Sequence, residues 1–192
     1  MGIQKIRSFF AIPTSNDCKE EFTKIILDLK QNLPYGIRWV KSEHLHLTLK
    51  FLGEFNSTDI SAIENILKPI ISTIDHFQLS FQNLGVFPNF SNPKVIWIGI
   101  NYPESLLHLF KEIEAAAFNL GYPKESRPFS PHLTIGRVKK EQPDLNRLSL
   151  SLKRNSNEEI CSSPVDNVVL FQSVLTPSGP VYSELFHLPL KQ

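Results

Sequence analysis

The chain has 192 residues, of which 41% are hydrophobic and 20% charged, with a formal net charge of +1. That composition fits a globular protein of one domain or two small lobes. It excludes a broad positive field able to grip long duplex nucleic acid, while leaving room for a local basic site that reads a short end.

In chain order, residues 7–12 (RSFFAI) read as a buried strand. They are too short for a signal-peptide core, and Pro13 follows. Residues 15–32 take helical spacing, with Phe22, Ile25, Ile26, Leu29 and Leu33 on one side and Ser15, Asn16 or Asp17 as cap. A turn at 34–36 leads to a short strand at 37–41. Residues 44–53 (HLHLTLKFLG) alternate strictly, as a half-buried strand does. Ser57 or Thr58 opens a second helix carrying Ile60, Ile63, Leu67, Ile70 and Ile71. Strands follow at 77–87 and 94–100. Pro103 suits the first turn of a third helix that stops at Gly121. Next come a strand at 132–138, a weaker helix at 143–152, a polar loop at 153–163, and closing strands at 165–175 and 181–190 joined by a turn.

No segment approaches the ~20 apolar residues of a membrane span. Ile6 stands where a myristoylation signal wants Ser or Thr. A soluble cytoplasmic protein, monomeric by default, is expected. Cys18 and Cys161 fit no metal-binding spacing and are expected as reduced thiols, with a long-range disulfide as the alternative.

One unit occurs twice, as strand, helix, motif strand, helix, strand, over about 7–84 and again over about 94–175. HLTL at His46 returns as HLTI at His132, 86 residues later. The expectation is a single domain of two interleaved lobes spanning 1–192, α+β in class. Antiparallel sheets would line a central cleft, with helices outside and an approximate two-fold axis.

Residues two apart on a strand share a face. His46 and Thr48 therefore project together, as do His132 and Thr134, while Leu45, Leu47, Leu49, Leu133 and Ile135 turn to the core. Two imidazoles and two hydroxyls around one volume suit in-line displacement at phosphorus. One imidazole acts as base and one as acid, and the hydroxyls hydrogen-bond the non-bridging oxygens. A strained cyclic diester is already activated, so no metal or other cofactor is called for. The alternative is that His44 and His46, an HxH pair on one strand face, are metal ligands. His76, His108 and His187 have no motif around them and read as structural. By alternation Lys50 shares the face of His46 and Thr48 and is expected to meet backbone phosphates. Lys139 and Lys140 read equally well as solvated charge.

These residues resemble the two HxTx motifs of the 2H phosphoesterase superfamily, and more closely its RNA 2′,3′-cyclic phosphodiesterase branch, the LigT or 2′-5′ RNA ligase family. The likeness runs nearly end to end, through RSFFAI, WVKSEHLHLTLKFLGE, RPFSPHLTIGRVK and VVLFQSVLTPSGPVYSEL. It implies a bilobal α+β fold and hydrolysis of the terminal 2′,3′-cyclic phosphate of RNA to a 2′-phosphate, with tRNA fragments among the candidate substrates. His46 would be the general acid on the leaving O3′ and His132 the base that activates water. Thr48 and Thr134 would hold phosphate oxygens, and Arg137 is carried over as a phosphate contact. Strict alternation turns Arg137 away from the histidines, so it reaches them only if the strand ends or bulges near Gly136. The family name also records 2′-5′ ligation, in which a 5′-hydroxyl replaces water. The alternatives are another cyclic or 2′-5′ nucleotide as substrate, or an RNA-end binding module without chemistry.

Overall fold

The computed structural model describes residues 5–154, 159–177 and 179–191. Its strands are β1 (Lys5–Pro13), β2 (Ile37–Trp39), β3 (His46–Asn56), β4 (Phe77–Phe87), β5 (Val95–Asn101), β6 (His132–Val138), β7 (Glu159–Val165), β8 (Asn167–Thr176) and β9 (Gly179–Pro189). Its helices are α1 (Asn16–Asn32), α2 (Ile60–Ile71), α3 (Glu104–Asn119) and α4 (Leu145–Lys153). Two helix starts, those of α1 and α4, carry side-chain caps. The Ser15 hydroxyl accepts the Cys18 amide at α1, and the Asp144 carboxylate accepts the Asn146 and Arg147 amides at α4. Pro103 occupies the cap of α3.

All the strands join one antiparallel sheet in the order β7-β4-β5-β6-β3-β1-β8-β9, with β2 beside β6. The order is symmetric about the seam between β6 and β3, so that β5 matches β1, β4 matches β8 and β7 matches β9. The register carries the same symmetry. Ala11 lies opposite Thr48 and Pro13 opposite His46, while Trp97 lies opposite Thr134 and Gly99 opposite His132. Each member of the second set is its counterpart in the first with 86 added.

The helices cross between the halves of the chain. Of those on the β3 side, α2 packs on β9 and α3, from the second half, on β3. On the β6 side α1, from the first half, packs on β7, and α4 packs on β4. Phe22 of α1 meets Phe81 of β4 edge to face at 4.9 Å. The core between sheet and helices includes the fully buried Leu47, Phe55, Leu133 and Ile135. Among the described residues no helix is long and apolar enough to cross a membrane.

Two expectations are overturned. The stretch 153–163 is not one loop, because α4 reaches Lys153 and β7 begins at Glu159; residues 155–158 lie outside the described residues. β7 is an edge strand pairing with β4 alone, which explains its polar sequence and its tolerance of Pro164. The cysteines are not free thiols. Cys18 of α1 and Cys161 of β7 form a disulfide across a sequence separation of 143. Beside it the Ser15 amide donates to the Ser163 hydroxyl at 2.9 Å.

Candidate active site

β3 and β6 touch through one residue pair, Leu47 opposite Leu133. Both leucines point into the core, so their neighbours point the other way. Antiparallel register then sets His46 across from Thr134 and Thr48 across from His132. All four are half-buried on the face away from the helices. Diagonal cross-strand positions such as those of the two histidines stand roughly 7–8 Å apart, which leaves room for one phosphate between the rings.

The rings are held in matching ways. His46 Nδ1 lies 2.8 Å from the carbonyl oxygen of His44, and His132 Nδ1 lies 2.8 Å from that of Ser130. A carbonyl only accepts, so each Nδ1 carries the hydrogen and donates it. Nε2 of each ring is the other nitrogen, with a lone pair when the ring is neutral. Burial lowers the His46 imidazole to about 4, with Arg137 adding a smaller push in the same direction. His132, more open, is lowered for the same two reasons.

Arg137 stands on the imidazole face. β6 carries a bulge: Trp97 pairs with Thr134 and the next pair is Ile96 with Gly136, so Ile135 is the extra residue. Ile135 and Gly136 are both buried, and the alternation restarts one residue late, exposing Arg137 on the side of Thr134. Gly136 is needed there for space, since a Cβ would come within 3.0 Å of Ile37 and 3.2 Å of the Trp39 ring.

β3 repeats the bulge at Leu49, between the pairs Thr48 with Ala11 and Lys50 with Phe10. This overturns the expectation for Lys50. The bulge turns it to the helix side, where it is buried, ion-paired to Glu114 of α3 and bonded at 2.9 Å to the Pro123 carbonyl. The position equivalent to Arg137 is Phe51, which is 61% exposed.

Aromatic rings flank both histidines. Phe9 stacks on His46 at 4.9 Å, and Phe171 and Tyr182 close around that pair. Phe87 meets His132 edge-on at 4.9 Å and leans on Trp97. Trp97 lies so close over Gly85 that a Cβ there would be 2.3 Å from the indole. Burial raises the Tyr182 phenol, opposed by Arg137 and Arg7, so it stays a neutral donor. Composition alone does not single these rings out of fourteen phenylalanines. The register does, because Phe171 and Phe87 occupy matching places in β8 and β4.

His44 belongs to a 3-10 turn (Ser42–His44) before β3, and its ring is set edge-on to Tyr182 at 4.9 Å. It and His46 are therefore not two ligands on one strand face. His76, His108 and His187 are exposed and away from the seam, the last two beside Glu112 and Glu184. Lys139 and Lys140 are solvated.

The chain matches the family described as LigT like phosphoesterase twice in tandem, over 12–97 and 98–182. It is 36% identical to the RNA 2′,3′-cyclic phosphodiesterase of Methanocaldococcus jannaschii over 92% of this chain and 96% of that one. Against the protein of the same name from Methanothermobacter thermautotrophicus it is 31% identical, over 94% and 97%. The fold matches Escherichia coli LigT complexed with 3′-AMP, at a TM-score of 0.79 and 25% identity over 98% of this chain and 100% of that one. It also matches TT0787 of Thermus thermophilus, with a TM-score of 0.82 and 24% identity over 97% and 98%. With both halves matched and the motif residues gathered at one seam, the chain belongs to the LigT-like phosphoesterase family.

Proposed function

We propose that this protein is an enzyme that opens the terminal 2′,3′-cyclic phosphate of RNA to a 2′-phosphomonoester. The observation that carries this reading is the Leu47–Leu133 seam, which sets two Nε2-presenting imidazoles and two threonines around one small volume. The named activity of the relatives supports the choice of substrate.

The cyclic phosphate sits between the rings. His132 Nε2 takes a proton from water as the water oxygen bonds to phosphorus, and the P–O3′ bond breaks on the opposite side. His46, protonated at Nε2, gives its proton to O3′. One water is consumed, and the product keeps the P–O2′ bond. Thr48 and Thr134 donate to the non-bridging oxygens, and Arg137 balances their charge. Burial lowers both imidazoles, so the phosphate monoanion must itself draw the acid's proton in. A 5′-hydroxyl in place of water gives a 2′-5′ bond by the same path, with O3′ again leaving. Cytoplasmic residence, a monomeric state and tRNA fragments as substrates belong to the same proposal.

Incubation with an oligoribonucleotide ending in a 2′,3′-cyclic phosphate tests it. A 2′-monophosphate product formed in excess EDTA is expected. A 3′-monophosphate, or bound but unreacted RNA, would refute it.

A further inference from the structure

β2 and β6 place Arg38 directly opposite Arg137. Residues directly opposite in an antiparallel pair share a face, with Cβ atoms about 5 Å apart, and like charges there are destabilising. Both arginines are exposed. Among the described residues neither has a carboxylate within ion-pair distance. The β2 strand consists of three residues, with Ile37 buried against the core and Trp39 over Gly136, and Arg38 alone carries charge. A two-arginine row beside two neutral imidazoles is an arrangement that an anionic ligand completes.

We propose that Arg38 is a specificity residue that binds the phosphate next to the reacting one, so that the site takes a polynucleotide end in preference to a free cyclic nucleotide. This rests on the phosphodiesterase reading above. Arg137 is close enough to lower both imidazoles, and Arg38, exposed and directly opposite it, extends that charge onto β2. A guanidinium presents a planar fork matched to phosphate. A terminal nucleotide within an RNA chain carries a 5′-phosphate; a nucleoside 2′,3′-cyclic phosphate has none. The chain's net charge of +1 makes such a local contact matter more, because no general field holds the RNA.

The test compares kcat/KM for a trinucleotide with a 2′,3′-cyclic end and for adenosine 2′,3′-cyclic phosphate. Arg38→Ala is expected to cost about ten- to a hundredfold on the trinucleotide, chiefly in KM, and no more than about threefold on the mononucleotide. Arg38→Lys should recover part of the loss, since it keeps the charge without the fork. The slope of log kcat/KM against log salt should flatten by roughly 0.7 in Arg38→Ala on the trinucleotide only. Equal losses on both substrates would put Arg38 on the reacting phosphate and overturn the proposal, and so would no loss on either. Wild-type protein inert toward both probes would instead sink the phosphodiesterase reading itself.

Discussion

In the proposed mechanism the two imidazoles are the groups whose protonation decides activity. In the free protein both are depressed, His46 to about 4, so at pH 7 only about one His46 in a thousand carries a proton. The proposed mechanism needs one ring charged and one neutral. As pH rises above the higher apparent value of the pair, kcat/KM should fall about tenfold per unit, with its maximum on the acid side of neutrality. In the bound complex the phosphate favours imidazolium, so the alkaline limb of kcat should lie at higher pH than that of kcat/KM. A rate profile flat from pH 5 to 9 would contradict the two-histidine mechanism. His46→Ala and His132→Ala should each lower kcat by about 10²–10⁴-fold while RNA affinity, read by fluorescence anisotropy, stays within a few-fold. The same burial has a stability consequence. His46 has a folded value below its unfolded one, so its contribution is whole above about pH 6.5 and is lost as pH falls toward about 4. Unfolding free energies from urea titration should decline over that window by up to about 3 kcal/mol, less any solvent screening at this half-buried ring, and His46→Gln should flatten the decline. His46, Thr48, His132 and Thr134 were legible in the sequence because two-residue alternation holds between them. Alternation misplaced Lys50, because a one-residue bulge precedes it and exchanges its face; Arg137 was reached only through the family likeness and a bulge near Gly136, which β6 has. Nothing in LTLK or TIGR fixes a bulge except the glycine, and the bulge at Leu49 has no glycine.

Among the elements, α3 is tied to β3 by the buried Lys50–Glu114 pair, and Glu114 also accepts the Glu125 amide at 3.1 Å. That pair fixes the start of the segment running to His132. Lys50→Met leaves Glu114 charged and buried, which should cost about 3–5 kcal/mol in denaturant titration. Lys50→Met with Glu114→Leu should recover most of the loss, because two apolar groups replace two charges. Gly85→Val, which pushes the Trp97 indole off β4, should reduce turnover more than stability. The helices were readable from apolar spacing, with Ser15 and Pro103 at the ends expected of them; Ser57 and Thr58 instead lie in a 3-10 turn ahead of α2, which begins at Ile60. β7 was not readable, because an edge strand pairs on one side only, and EICSSPV lacks the alternation that a half-buried strand shows.

At the scale of the whole molecule, the Cys18–Cys161 bond joins the helix that opens the first half to an edge strand of the second. Closing a loop of that size is worth about 5 kcal/mol in the chain-entropy account. Dithiothreitol should therefore lower the guanidinium midpoint clearly while leaving kcat within about twofold, since β7 is separated from β6 by β4 and β5. The repeat was visible in the 86-residue offset of the motifs, but the exchange of helices was not, because spacing along a chain does not say which lobe a helix covers. That exchange bears on how such a protein could have arisen. Each wall of the seam draws strands and helices from both halves of the chain. A half-length forerunner could have completed neither wall alone; two copies would have had to trade elements. Its single HxT motif would then have met its own symmetry mate across a dyad, and fusion freed the two copies to diverge, as Phe51 and Arg137 now do.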